Sequence, residues 1–445
     1  MSIDVSRTAP ARGRARRVAA TVTAALLASS ALTACGGGGT GSGPVSLTFY
    51  NQPSSDVATQ AAIDRCNKIA NGAYRITFNK LPAAADAQRQ QLVRRLAAKD
   101  SSIDLMGLDV TWPAEFAEAG WIREWTGANE AAVKKDLLPG PLATATYQGK
   151  LIAAPFNSNT QLLWYRTDLV KKPPATWDEM IKMSQQLARQ GKPSLIEEQG
   201  AQYEGLTVWF NSLVASAGGS ILNAKGTAPS LGQPAVDAAS VMKRVATTPG
   251  VADPSLSVNM EDQGRLAVEA GNAAFEINYP FVWPSMQASK TGKVKTYNGK
   301  TLKQNFRWAP FPSVDPGKSG KSTIGGIDIA VSKYSRHPDL AFKAALCLTD
   351  ATSQKTLANL GGLPPVGRSL YQNPPKDFAK AYPFYKLIAR QLANAAVRPK
   401  TAAYQSVSIV ISHTLSPPQN IDPKSSISSV KSDIRDALNS KGLIP

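Results

Sequence analysis

The 445-residue chain has two histidines and three cysteines. Neither His337 nor His413 stands at metal-ligand spacing from a Cys or carboxylate, so no metal site and no cofactor are expected. No Gly-x-Ser-x-Gly elbow occurs, which removes one common route to nucleophilic hydrolysis. The run GKSGKST at 317–323 fails as a phosphate loop. That motif needs Gly five residues before its Gly-Lys-Ser, and Asp315 and Pro312 occupy those places. It reads as a solvated loop. No internal repeat is apparent, and the only long apolar run, Val18–Leu32, is too short for a comfortable membrane span. Acidic residues are also scarce, 32 against 50 Lys and Arg, giving a formal charge of +18. The lysines are scattered and not interleaved with aromatics, which argues against nucleic acid as a partner. An anionic membrane or cell envelope accounts for the charge more simply.

What is present reads as an exported globular protein. Arg12, Arg14, Arg16 and Arg17 precede the Val18–Leu32 run, and Leu32-Thr33-Ala34-Cys35 follows it, with a Gly/Ser tract beyond. That pattern matches a lipobox, in which cleavage leaves Cys35 as the lipid-bearing N-terminus. Loss of residues 1–34 removes five Arg and one Asp, lowering the charge of +18 to +14. The expected location is the outer face of the cell membrane. Residues 1–34 are read as signal peptide and 35–44 as a Gly-rich tether, which makes sense only with one end anchored. Cys66 and Cys347 remain, both in helix-like segments. In an oxidising compartment they are expected to form a disulfide, two buried free thiols being the alternative.

Along the mature chain, strand and helix patterns alternate. Strands are expected at Val45–Tyr50, Tyr74–Phe78 and Ile103–Asp109, and helices through Ala61 and Cys66 and over Ala87–Lys99. This argues for an α/β lobe. Asp109 closes the third strand at its carboxyl edge, where such sheets place ligands. Thr176 with Glu179 forms a capping signature. Residues 204–218 read as a buried helix, 263–272 as a helix and 273–278 as a strand. A strand is expected at 324–331 and a helix from Pro338. The tail shows helical stretches near 378–394 and 401–414 and a short one from Ser426. The run LIAAPFNSNTQLLWYRTDLV (151–170) is unusual. Two strand-like segments are joined through Asn157, Ser158 and Asn159 without a turn.

AAPFNSNTQLLWYRTDLV, RLAVEAGNAAFEINYPFVW (265–283), TIGGIDIAVSKYSRHPDLAFKAALCL (323–348) and AAVRPKTAAYQ (395–405), with the lipobox, resemble the bacterial ABC-importer solute-binding lipoproteins of the maltose-binding class. LDVTWPAEFAEAGW, LLPGPLATA and NTQLLWYR are similar to the trehalose-binding branch of that class. The resemblance implies an α/β, two-lobed periplasmic-binding-protein-like fold with several crossover segments and a cleft between lobes. It implies a first lobe of 45–157 and 325–375, and a second of 158–324 and 376–445. Pro155–Asn159 would then be a hinge crossover; a β-bulge within one sheet is the alternative. The implied protein is a non-enzymatic, monomeric receptor. Its partners would be a disaccharide, trehalose favoured, and the permease subunits of an ABC transporter.

Site residues follow by the same resemblance. Asp109 matches a first-lobe carboxylate, Asn159 a hinge-side amide, Glu261 a second-lobe carboxylate and Arg398 a guanidinium. Tyr279 matches an aromatic platform where the trehalose receptors carry Trp. Gln88, Ser54 and Ser55 match less closely. Gly325 and Gly326 stand at a second crossover, where missing side chains would let a ligand reach backbone N–H groups. Such residues suit a sugar, which offers hydroxyl pairs and weakly apolar ring faces. Each has a plainer reading: Asp109 as a helix cap, Glu261 as a solvated first-turn carboxylate, Arg398 in a surface ion pair, Tyr279 as core.

Overall fold

Alternation in Val45–Asn51 (β1) sinks Leu47 and Phe49 fully into the interior while Ser46 stays exposed. In this computed structural model, which describes residues 43–53 and 55–439, that strand founds the first sheet. The proposed signal peptide, Cys35, most of the tether, Ser54 and the last six residues lie outside the described residues. β1 pairs in parallel with Tyr74–Lys80 (β2) and Leu105–Asp109 (β3). Helices Asp56–Ile69 and Ala85–Ala97 make the crossovers between them. A two-residue-strand hairpin, Thr146–Tyr147 (β4) and Lys150–Leu151 (β5), turns through Gln148 and Gly149, both with positive φ. That matches the twist such hairpins need.

Ala154–Asn159 (β6) and Leu162–Arg166 (β7) are the paired runs that the sequence joins without a turn, and they lie in different sheets. β7 belongs to a second sheet with Leu195–Glu197 (β8), Ala273–Asn278 (β9) and Phe306–Ala309 (β10), in the order β10-β7-β9-β8. Gly325–Val331 (β11) completes the first sheet, in the order β2-β1-β3-β11-β6. The crossover is therefore not Pro155–Asn159, which remain laddered to β11; it is Thr160 and Gln161. A bulge is present as well, earlier in the strand. Ile327 faces Asn157 but Asp328 faces Pro155, leaving Phe156 as the extra residue. Pro155 has no N–H to give to the ladder, so a register shift there is cheap.

The glycines of β11 serve this pairing. Gly326 has φ +139°, and a Cβ there would lie 2.3 Å from the Asn157 carbonyl oxygen; a Cβ on Gly325 would meet Asn159 Cβ at 3.3 Å. Their bareness is used by β6, whose backbone packs against them.

Apolar burial follows the two sheets. One core gathers Phe49, Phe116, Trp125, Phe156 and Ile329 around the first. A second gathers Trp177, Trp209, Phe210, Met242 and Ile411 beside β7 and β9. A third, aromatic-rich cluster of Trp164, Phe306, Tyr382 and Phe384 reaches Ile324 and Ala358. Cys66 and Cys347 are disulfide-bonded, tying helix Asp56–Ile69 to helix Pro338–Leu348 across 281 residues of sequence. Thr176 caps its helix by accepting from the Glu179 N–H at 3.1 Å.

Two tail expectations and one loop expectation change. The stretch 378–394 is two helices, Lys376–Ala381 and Tyr385–Ala393. Pro383 lacks a donor and biases Tyr382 out of the helical region, where its φ is −121° and ψ 61°. The last helix begins at Pro423, not Ser426, and runs 16 residues to Leu438; Asp422 caps it by accepting from the Ser425 N–H. The loop 317–323 is solvated only in its first part. Ser322 and Thr323 are buried, and the Thr323 N–H donates to Ser212 Oγ at 3.0 Å.

Candidate functional site

The carboxyl end of β3 delivers Asp109 to a point where the two sheets approach each other. Its Oδ1 accepts from the N–H and hydroxyl of Thr111, at 3.0 and 2.7 Å, which fixes the rotamer in a local turn. The same carboxylate meets Arg398, Nη2 to Oδ1 at 3.0 Å. The other end of the guanidinium meets Glu204, Nη1 to Oε1 at 2.7 Å. Arg398 is therefore not a surface partner: it is 4% exposed and bridges two carboxylates from different parts of the fold. Burial opposes its charge, but Asp109 and Glu204 more than offset this and hold it protonated.

Glu204 was not singled out in the sequence. It opens helix Glu204–Ser216, 12 of whose 13 residues are buried. A carboxylate is stabilised at such a position by the helix N-terminus. Tyr404 donates its hydroxyl to Oε1 at 2.6 Å, and Ser408 donates to Oε2. Burial still outweighs Arg398 and raises the Glu204 pKa. The available signal was an acid heading an apolar helix, which reads equally well as ordinary capping.

Glu261 and Tyr279 reach the same locality from the second sheet. Glu261 begins helix Glu261–Glu269, and its backbone carbonyl accepts from Asn278 Nδ2 at 2.9 Å. Its carboxyl lies beside the Tyr203 hydroxyl and is raised by burial. Tyr279 is pushed up by burial and then by Glu261, and it also feels Arg398, Asp109 and Glu204. Asp109, Arg398, Glu261 and Tyr279 are thus brought together, with Glu204, Tyr203 and Tyr404 as further members.

The remaining expected residues fare differently. Asn159 ends β6 beside Gly325, its Oδ1 accepting from the Thr160 N–H. Gln88 uses its amide on the Ala83 carbonyl at 3.1 Å, tying down the start of its own helix. Ser55 sits in the left-handed region at φ 60° and donates to the Gly361 carbonyl at 2.9 Å.

A narrow, open-mouthed hollow adjoins Arg398 between Thr111, Thr144 and the 397–400 segment. Lys400 lines it and donates Nζ to the Ala143 carbonyl at 2.6 Å. Gln405 donates to Asp86 Oδ1 at 2.7 Å. One segment, 398–405, therefore makes three contacts with the first-sheet side. Behind β9 lies a second group of acids. Glu197 and Glu276 are register partners in β8 and β9, and burial pushes both up to about 8. Glu198 beside them is raised by burial as well.

A two-sheet α/β molecule whose crossover strands flank a polar, charge-paired junction has the form of a two-lobed binding protein. The comparisons agree with this. Residues 52–355 match the family described as bacterial extracellular solute-binding protein, and the chain belongs to that family. It is 30% identical over 357 residues to a probable ABC transporter-binding protein of Deinococcus radiodurans, covering 76% of this chain and 80% of that one. Maltose-bound T. maritima MalE3 superposes with TM-score 0.78 at 24% identity, over 88% of this chain and 99% of that one. The GacH receptor of Streptomyces glaucescens gives 0.76 at 19% identity, over 89% and 99%. At those identities the two structures speak for the fold alone.

Proposed function

We propose that this solute-binding protein captures a neutral disaccharide, trehalose first among the candidates, and hands it unaltered to the permease of an ABC importer. Segments 45–159 and 325–375 form one lobe and 162–324 and 376–439 the other, with Thr160 and Gln161 as the crossover. Lipid on Cys35 holds the molecule at the outer face of the membrane. The ligand lies between the lobes, where Asp109 and Glu261 accept from sugar hydroxyls, Arg398 donates and Tyr279 covers a ring face. Contacts from both sides at once make the ligand favour the closed arrangement. The observation that carries this reading is the convergence of Asp109, Arg398 and the Glu261–Tyr279 helix–strand unit, drawn from three distant stretches of sequence. The wording shared with the trehalose-binding branch supports the choice of sugar. The test is calorimetric titration of residues 36–445 with trehalose, maltose, sucrose and glycerophosphocholine. Trehalose is expected to bind most tightly; preference for glycerophosphocholine would overturn the reading.

A maltose or maltodextrin ligand is the second reading. MalE3 was seen with maltose bound, and the chain is 27% identical over 210 residues to the maltodextrin-binding protein of Bacillus subtilis, 44% of this chain. Tighter binding of maltose than trehalose in the same titration would decide for it. A glycoside hydrolase would use Asp109 and Glu261 as a carboxyl pair. Yet Asp109 is committed to Arg398 and Thr111, and acid–base work needs a group poised to exchange its proton. Glucose release from trehalose is expected to be nil.

A further inference from the structure

We infer that Glu204 sets Arg398 for uncharged ligands and closes the site to phosphorylated ones. The inference rests on the sugar-binding reading above. A phosphate is gripped best when a guanidinium presents two parallel N–H groups to it. Here both ends of the fork are occupied, Nη1 by Glu204 at 2.7 Å and Nη2 by Asp109 at 3.0 Å. Nε is buried and without a hydrogen-bond partner, and the second N–H of each Nη sits on a nitrogen already paired with a carboxylate. Donors flanked by two carboxylates suit a neutral hydroxyl or ring oxygen and are a poor match for a dianion.

Glu204 cannot swing aside to free the fork, because Tyr404 and Ser408 hold its two oxygens separately. The charge balance points the same way. Two carboxylates face one guanidinium, and Glu261 stands next along the site beside Tyr203. The other cation at the hollow, Lys400, is engaged with the Ala143 carbonyl and faces the buried Asp328. An arriving phosphate would have to displace a carboxylate from a buried cation before gaining anything. Rejection of this kind is built from repulsion rather than from a better fit to the preferred ligand.

The test is titration of the wild type, Glu204→Gln and Glu204→Asp with trehalose, trehalose 6-phosphate and inorganic phosphate. Wild type is expected to prefer trehalose over its 6-phosphate by at least about 100-fold, since an unpaired charge is being refused. Glu204→Gln should bind trehalose about tenfold more weakly and the 6-phosphate at least about tenfold more tightly, because the released guanidinium can take a phosphate. Glu204→Asp keeps the charge and should keep most of the preference. A merely structural role would weaken both ligands alike and leave the ratio unmoved. Should Glu204→Gln not fold, the double variant Tyr404→Phe with Ser408→Ala loosens the same carboxylate and should narrow the ratio in the same direction. Wild type that binds no disaccharide, with a variant that gains phosphate binding, would sink the sugar reading and leave this inference standing. An unchanged ratio, or no gain of phosphate binding in either variant, overturns the inference.

Discussion

Raising the pH from 5 to 8 should weaken this fold, and the reason lies in Glu197 and Glu276. They face each other across the parallel β8–β9 pair, each about 1% exposed. Asn259 Nδ2 reaches Glu197 Oε2 at 3.3 Å and Asn278 Nδ2 reaches Glu276 Oε1 at 2.6 Å, while Glu197 Oε1 and Glu276 Oε2 have no partner. Burial therefore favours the protonated forms and lifts both carboxyls from 4.5 to about 8. A folded pKa above the unfolded one means stability that is complete below pH 4.5 and lost as pH climbs through 8. Between those limits the folded state holds protons that the unfolded chain has released. Stability then falls by about 1.4 kcal/mol per pH unit for each such group. From pH 5 to 8 the ceiling is roughly 4 kcal/mol per carboxyl, and water reaching the pair on deprotonation brings the expected total to about 4 kcal/mol for both. That is a large share of the 5–15 kcal/mol by which domains are stable. Glu198, Glu261 and Asp328 are raised by burial too and push the same way. Asp56, Asp100, Asp377 and Asp422 are lowered; their contribution is lost only as pH falls through values below 3.8, outside this window. Urea unfolding at pH 5, 6.5 and 8 measures the slope directly, and Glu276→Gln should roughly halve it. Stability that is flat or rising between pH 5 and 8 would refute the reasoning.

Arg398→Met should abolish measurable trehalose binding in calorimetry and lower stability by about 3 kcal/mol, because it strands two carboxylates, one of them buried. Gly326→Ala should destabilise by more than about 2 kcal/mol in urea melts, since the residue's φ is +139° and the new methyl would press on the Asn157 carbonyl. Replacing Cys66 and Cys347 by Ala should cost about 2–5 kcal/mol of stability. Trehalose affinity at 25 °C should be untouched by that change, because the bridge sits in the first-sheet core and not at the Asp109–Arg398 junction.

Much of the fold was legible because local signals and tertiary outcome coincide. Period-two alternation found β1, and strand-like runs found β2, β3 and β9; the Thr176–Glu179 spacing found a helix start; Pro338 found another. The errors fall where a single residue overrides a run. Pro383 breaks what looked like one helix, and Pro155 shifts the register of β6 without ending it. The crossover was placed a few residues early because small polar residues resemble a hinge. What decides its position is the partner strand: Gly325 and Gly326 hold Ser158 and Asn159 in the first sheet to the last residue.

The crossover's own chemistry shows why a sequence reading stops short of the site. Gln161 donates its backbone N–H to Ser322 Oγ at 2.9 Å and its side-chain amide to Gln199 Oε1 at 2.6 Å. The two strands passing between the sheets are thus pinned to each other, and the first is pinned to the second sheet. Any bending must be shared by both passages, so neither can flex as an isolated polar hinge. Glu204 presents the same difficulty in the binding constellation. In one dimension it is an acid before an apolar helix, with nothing to separate it from a cap. Its meaning depends on Arg398, 194 residues further on, and on Tyr404 and Ser408 beyond that. A residue whose role is to hold another in place is visible only once the chain has returned to it.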